Sequence, residues 1–577
     1  MNTLCIQADN LNNLQKEGFA MKKLLYVKTA LALLLTLFVG ITTASAAPWS
    51  FGVMSDTQWP NSPDSKNPNS DAINVITHLN QEFINKKVKF VVAVGDVTDN
   101  GSILALDTRA TFAQALYNAG IGFYPLRGNH ESSQSAALEF QRIFPQTQTG
   151  VNNQTPANAL ITNTIYGPQV NTNTTYTVGA NFASPSADFA GLTYSFDYEN
   201  ARFVLLDQFT PPSGASHSVL SSSDVAWVGN MLSDPNMPQH AFVFGHKHLI
   251  SENHADTLFG SNPSSNPSGL QDTFMAKLFN AGVHYYMGGH DHMHNRAIIT
   301  SPDGNSKVQN IITASDSYKF YIPQNPSNDA KYDIPANGIT NGPREMEISQ
   351  ELFAIGYYIV TVDGPRVTVD YYASPNGCNG DCDETNDVIP YTFTKRETFG
   401  YSLNGKEFLM AQGQSYSNIQ DSFAGTTAQI LSGSNGSTAT DYIGRILTKT
   451  VDTGWTPKSV EAPKSVQDTA SDIFSLWGMA DLGTDQTDVF VLSLTYDPAK
   501  SRPEHLGQGT FGLAVRDAAG NWVNAVEKNI GGAKKFVMGP WDPSYELGTY
   551  GVDPGTHTAW AVINYNSDFA VARFNNE

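Results

Sequence analysis

The chain has 577 residues, more than one compact core ordinarily holds, so at least two domains are expected. A composition of 40% hydrophobic, 11% aromatic and 15% charged residues excludes general disorder and points to a folded chain with many turns. The formal net charge of -20 repels polyanions and lacks the basic surface from which long nucleic acids draw affinity, so no DNA- or RNA-tracking role is expected.

From the N-terminus, Lys22 and Lys23 precede an apolar run from Leu31 to Ile41 and then the small residues Ala44, Ser45 and Ala46. This pattern predicts a secretory signal peptide cleaved near Ala46, with Met21 the better natural start; residues 1–46 are therefore set apart from the fold. The apolar run is shorter than the roughly 20 residues of a spanning helix, so no transmembrane anchor is expected. A secreted or periplasmic location follows.

From residue 47 to 375, short apolar runs alternate with longer mixed segments, the texture of an α/β domain. Strands are expected at Ser50–Met54, Phe90–Val94, Gly122–Pro125, Phe203–Leu206, Ala241–Phe244 and His284–Met287. Helices are expected at Asp71–Asn85, Ser102–Asn118, Ser132–Ile143, Ser222–Leu232 and Gln271–Ala281. Between Pro145 and Ala190 the chain is rich in Asn, Thr and Gln and reads as a long surface excursion.

Residues 376–394 read as a linker, with Cys378 and Cys382 expected to form a short-loop disulfide once exported. From 395 to 577 the texture changes to strands, at Val489–Thr495, Phe511–Val515, Trp522–Val526 and Thr558–Asn564. Asp517 to Asn521 suits a hairpin connection, so the C-terminal domain is expected to be all-β and sandwich-like. Its aromatics Trp522, Trp541, Tyr545, Tyr550 and Trp560 carry two readings, core packing or the binding of a carbohydrate or surface, and packing is the more frequent use.

Five clusters follow predicted strands of the first domain: Asp56-Thr57-Gln58, Gly95-Asp96-Val97-Thr98-Asp99, Gly128-Asn129-His130-Glu131, Gly245-His246-Lys247-His248 and Gly289-His290-Asp291-His292. Strand ends are where open α/β sheets place ligands. A lone Asp or Asn there is usually a turn residue or helix cap, and a lone His usually an ordinary hydrogen-bonded one. Joint occurrence overturns those readings. Carboxylates, amides and imidazoles together suit borderline divalent ions, and a carboxylate such as Asp96 can bridge two of them.

This ordered set resembles the calcineurin-like metallophosphoesterase family, over roughly Trp49 to Ala373. The resemblance implies a four-layer αββα sandwich around two metal ions, Mn, Fe or Zn. Asp56, Asp96 and His292 would hold the first ion, and Asp96, Asn129, His246 and His290 the second. His130 would be the catalytic histidine and protonate the leaving group. The implied activity is hydrolysis of small phosphate mono- or diesters by a metal-bridging hydroxide.

Two departures matter. Gln58 stands where the family usually has His, so this ligand would coordinate through its amide oxygen, more weakly. Asp99 stands where the purple acid phosphatase branch has Tyr, which implies a colourless enzyme and leaves Asp99 to orient His130. Asn129, His130, His248 and Arg296 are the candidate substrate contacts, with an indirect role for His248 and a structural ion pair for Arg296 as alternatives. Asp291, between two ligands, is expected to point away. The competing class is an extracellular attachment protein with a degenerate phosphoesterase domain; a nuclease fits the same centre but not the charge.

Overall fold

The computed structural model describes residues 47–59, 67–149, 178–260, 269–321, 323, 344–375 and 391–403, then 406–410, 416–418, 426–432, 439–440, 446–447, 451–455, 469–471, 473–477, 479, 488–517 and 521–574. The signal segment, Cys378 and Cys382 lie outside the described residues, as do much of the 145–190 and 301–345 segments. No described helix is long and apolar enough to cross a membrane.

The chain runs β1 (Trp49–Met54), α1 (Ile73–Lys86), β2 (Phe90–Val94), α2 (Ile103–Asn118), β3 (Gly122–Leu126) and α3 (Gln134–Ile143). Then come β4 (Ala180–Ala183), β5 (Tyr194–Tyr198), β6 (Ala201–Leu206), α4 (Ser222–Leu232), β7 (His240–Gly245), α5 (Leu270–Ala281) and β8 (Tyr285–Gly288). The domain closes with β9 (His294–Thr300), β10 (Lys307–Ile312), β11 (Glu345–Glu351), β12 (Ala354–Asp363), β13 (Arg366–Pro375) and β14 (Thr394–Ser402).

Helix starts follow their caps. Ser102 Oγ accepts from Ala105 N at 3.2 Å and Ser133 Oγ from Ala136 N at 3.1 Å. Ser221 and Asp224 form a reciprocal capping box at α4. The first helix starts at Ile73 rather than Asp71, because Asp71 is drawn into a β-bridge with Gln58.

Two sheets face one another. One has six strands in the order β14-β13-β12-β1-β2-β3, the other eight in the order β11-β9-β10-β8-β7-β6-β5-β4. β1, β2 and β3 are parallel, as are β6, β7, β8 and β10, so their C-terminal ends share an edge within each sheet. Between the sheets lies an aromatic core: Phe51 stacks on Phe90 at 5.3 Å and meets Phe203 and Phe242 edge-on at 5.0 and 5.1 Å. Each such buried ring stabilises the pairing by about 1.5–3 kcal/mol.

On the outer face of the first sheet, Val75, Leu79 and Phe83 of α1 and Leu106, Ala110 and Ala113 of α2 cover Met54, Val91 and Phe123. On the outer face of the second, Val225 and Val228 of α4 and Phe274, Met275 and Leu278 of α5 cover Val204, Leu206 and Tyr286. The layers are thus αββα, as the resemblance implies.

After β14 the chain is built from strands in two further six-stranded sheets, which enclose a core including Leu492, Leu513, Val552, Ile563, Phe569 and Val571. The expected hairpin is present: Phe511–Arg516 pairs with Trp522–Asn524, and Asp517 Oδ1 accepts from Asn521 N at 2.8 Å. Trp522, Tyr550 and Trp560 are buried, and Tyr545 stacks on Trp560 at 5.3 Å, which is the packing use of these aromatics.

The expected boundary at 395 falls inside β14, which pairs with β13 and so belongs to the first sheet; the sandwich starts after it. Residues 48–577 form one compact unit. The seam includes Arg366 of β13, whose guanidinium donates to Asp568 at 2.9 Å and lies 3.5 Å from the Trp477 ring, while Ser402 Oγ donates to Asp568 at 2.7 Å.

Candidate metal centre

Each candidate ligand sits at or just beyond the C-terminal end of a parallel strand: Asp56 after β1, Asp96 after β2, Asn129 after β3, His246 after β7, His290 and His292 after β8. The first three belong to one sheet and the three histidines to the other. The chain must turn sharply to aim these side chains inward. Asp56, Asp96, His290 and His292 accordingly take positive φ, at 51°, 45°, 67° and 52°. Non-glycine residues seldom adopt that conformation, and it costs on the order of 1–3 kcal/mol each, held by the surrounding fold.

Two glycines explain the close approach. Gly95 has φ of 100°, and a Cβ there would strike the His246 ring; a Cβ at Gly128 would strike the Asp96 carboxylate.

Two groups of donors result, one of Asp56, Asp96 and His292 and one of Asp96, His246 and His290, with atoms in each group within 4.8 Å of one another. Asp96 is common to both. His246 Nε2 lies 2.9 Å from Asn129 Oδ1 and 3.3 Å from Asp96 Oδ2, and His292 Nε2 lies 3.5 Å from Asp56 Oδ1. All of these except Asn129 are buried, and Asn129 is partly so.

The family model for calcineurin-like phosphoesterase matches residues 50–294. Those residues are a calcineurin-like phosphoesterase domain. Similar solved structures include the purple acid phosphatase PPD1 from yellow lupin (Lupinus luteus) seeds, at 11% identity and TM-score 0.38 over 62% of this chain and 54% of that one. The chain thus matches about half of the lupin enzyme's length. GAP50, the anchor in the inner membrane complex of Plasmodium, matches at 15% identity and TM-score 0.32, over 56% of this chain and 84% of its own. A dimetal phosphatase from Danio rerio matches at 14% identity and TM-score 0.30, over 56% and 95%. No curated protein matches the chain.

In the phosphoesterase domain, electrostatics fit cations. Burial pushes the Asp56 carboxyl up to about 7 despite the nearby His246, the behaviour of an acid whose charge asks for a counter-ion. Burial also raises Asp96, but the His246 and His130 rings overcome it and hold that carboxyl well below its usual range. Burial depresses His246, yet Asp96 and Asp56 lift it to about 9. Gln58 adds a further sign: its Oε1 is buried without a hydrogen-bond partner among the described residues. Oxygen and imidazole donors in this mixture suit borderline divalent ions.

His130 is partly exposed. Its backbone N–H donates to Asp96 Oδ1 at 2.9 Å, and its Nδ1 meets the Asp99 backbone carbonyl, which makes Nδ1 the protonated nitrogen. The Asp99 carboxylate stands 3.6 Å from Nδ1 and accepts from Gln58 Nε2 at 3.2 Å, so it is the backbone carbonyl of Asp99 that holds the ring. Gln58 Nε2 also lies 3.3 Å from His130 Nε2.

Two candidate substrate contacts are corrected. Arg296 is fully buried in β9, donates to Glu397 at 2.8 Å and Gln309 at 3.0 Å, and lies over the Phe399 ring at 4.3 Å; it is the ion-pair alternative that the structure bears out. His248 is likewise buried, with Nε2 against the Gly289 carbonyl, and burial lowers it to about 4. Its one described hydrogen bond ties it to the turn that leads to His290, in keeping with the indirect role given as the alternative.

Further residues support the candidate ligands. Asp256 Oδ1 lies 2.9 Å from His290 Nε2, and its other oxygen takes Lys247 Nζ at 2.5 Å. Asp291 does point away from the ions' side, as expected: it accepts backbone N–H groups of Glu252, Asn253 and His254, and His254 Nδ1 at 2.6 Å. His254 stacks on His290 at 4.0 Å. Glu131 caps its own turn through Gly128 N and Thr98 N, both at 2.9 Å. Arg127 forks onto Asp207 at 2.6 and 2.9 Å. Asp256 lies ten residues past His246 in a loop without a motif, so no spacing rule reaches it.

Proposed function

We propose that this chain is a secreted, two-metal phosphoesterase acting on small phosphate esters, with monoesters ahead of diesters. The observation that carries the reading is the pair of buried donor groups sharing Asp96. Asp56, Asp96, His292 and the Gln58 amide oxygen would hold the first ion, and Asp96, Asn129, His246 and His290 the second. Asp256 takes Nε2 of His290, which leaves Nδ1 as the donor of that ring. When bound, the ions supply an activated water and neutralise charge on phosphate oxygens.

The protein's own part begins with His130. Its Nδ1–H is fixed on the Asp99 carbonyl, so Nε2 is the atom that faces the centre, 3.8 Å from Asp96 Oδ2. A second proton on Nε2 makes it the donor to the leaving oxygen, with the Asp99 carboxylate nearby to stabilise the imidazolium. The Gln58 amide donates to Asp99 and meets Nε2 of the neutral ring, so it holds the imidazole in place between turnovers. Asn129, beside His130 and partly exposed, offers its amide to a phosphate oxygen.

Export is supported by the N-terminal charge, apolar run and small-residue ending. The acidic balance supports small substrates over nucleic acid. The test is the purified protein, stripped of metal, refilled with Mn²⁺ and assayed on aryl phosphate mono- and diesters. Hydrolysis of the monoester that depends on Mn²⁺ is expected. Absence of both metal uptake and hydrolysis would instead favour an extracellular attachment protein with a decayed centre.

A further inference from the structure

Past the C-terminal end of β10, on the edge that carries the ligands, the chain from Ser315 to Tyr321 lies against the centre. His292 Nδ1 donates to the Lys319 carbonyl at 2.8 Å. Three residues earlier, Asp316 is tied to the residue before Asp56: Ser55 N donates to its carboxylate at 2.8 Å, and its own N donates to Ser55 O at 3.1 Å. The backbone of Lys319 is thus fixed beside two candidate ligands of the first ion.

Its side chain and that of Tyr321 form a rim. The half-buried Tyr321 ring meets His292 edge-on at 5.1 Å and His254 at 4.7 Å, and His254 stacks on His290 at 4.0 Å. One ring therefore borders both ligand sets, His292 directly and His290 through His254. Lys319 Nζ lies 5.7 Å from the centroid of that ring, within cation–π reach. Lys319 is half-buried, and among the described residues its ammonium pairs with no carboxylate, although acids outnumber bases 54 to 34 in the chain. A partly desolvated cation without a protein counter-ion, at the rim of a phosphoesterase centre, suits an anion that the substrate brings.

We propose that Lys319 is the specificity-determining residue for monoesters: its ammonium, steadied by the Tyr321 ring, takes the terminal phosphate oxygen that a diester replaces with a second organic group. This rests on the two-metal phosphoesterase reading above. A phosphate monoester carries about two negative charges and three acceptor oxygens near neutral pH. A diester carries less charge, and its second organic group sets neutral atoms against the ammonium. Charge and hydrogen bonding thus favour the monoester together.

The test uses the full chain refilled with Mn²⁺, kinetics on aryl phosphate mono- and diesters, and calorimetric binding of inorganic phosphate. Lys319→Gln is expected to lower the ratio of kcat/KM for monoester over diester by about tenfold or more, and to weaken inorganic phosphate by about as much, with the metal content of the parent. Lys319→Arg, which keeps the charge, is expected to recover most of both losses. Tyr321→Leu is expected to shift the ratio the same way by a smaller factor, about threefold. A Lys319→Gln protein with the parent's ratio and phosphate affinity overturns the proposal, as does a parent that favours the diester. Equal loss on both esters, or loss of an ion, also overturns it, since Lys319 would then act through His292. A parent without Mn²⁺-dependent hydrolysis overturns the two-metal reading and this proposal with it. Circular dichroism reports folding; Lys319→Met replaces a Gln variant that does not fold, and failure of both to fold overturns the proposal, since the ammonium would then serve the fold.

Discussion

The Nε2 atoms of Gln58 and His130 lie 3.3 Å apart, which joins a candidate metal ligand directly to the candidate proton donor. The amide's orientation is fixed by Asp99: a carboxylate at 3.2 Å accepts from nitrogen and would repel oxygen.

Gln58 can thus be changed in two informative ways. Gln58→Ala is expected to weaken the first ion by on the order of 10- to 100-fold and to release His130 as well. Gln58→His is expected to tighten that ion. Metal titration followed by phosphatase assay at saturating Mn²⁺ separates the two effects; equal affinities in all three proteins would remove Gln58 from the ligand set.

Asp96 is the shared donor, so Asp96→Asn should disturb both ions at once. Metal content is expected to fall from two per chain toward none, and hydrolysis by on the order of a thousandfold or more. Elemental analysis of the purified variant checks this. By contrast, His130→Ala should keep both ions and lose about 100- to 10,000-fold in kcat.

Much of this centre was legible because its chemistry is local in sequence. Each ligand follows a short apolar strand, and glycines at 95, 128, 245 and 289 precede the clusters. Motif proximity left two uses open for both Arg296 and His248, because it does not tell inward from outward. Arg296 lies on a strand that turns it toward Glu397, a residue about a hundred positions away. Asp256 was invisible for the same reason, since its partner His290 is set by tertiary packing. The β14 boundary was missed because an edge strand that returns to a sheet after an intervening segment carries no local mark.

The seam between the phosphoesterase domain and the sandwich rests in part on Arg366 and Asp568. Arg366→Ala leaves a buried acid without its cation and a tryptophan ring without its cover. A loss of about 3–5 kcal/mol is expected. Urea unfolding followed by tryptophan fluorescence measures it, and an unchanged midpoint would show that the two parts dock without this pair.

His240 sets an acid limit on stability. Burial depresses it to about 4; the neutral ring accepts from Tyr401 at Nδ1 and donates to the Gly364 carbonyl at 2.7 Å. The unfolded chain protonates near 6.5 and the folded one near 4, so the folded state binds fewer protons in that window. Stability from this group is complete above 6.5 and declines as pH falls toward 4, by about 3 kcal/mol. His240→Gln should flatten that decline, as read from melting temperatures between pH 7 and pH 4.

The donor set is divided by origin: Asp56, Asp96 and Asn129 come from one sheet and His246, His290 and His292 from the other. A half-formed domain therefore presents only oxygens or only nitrogens, and neither half assembles a complete cage. Ion capture becomes a report that the two halves have closed on each other. On this geometry ions can be retained only once the two sheets have paired, so metal supplied before folding would be held no better than by a few separate side chains.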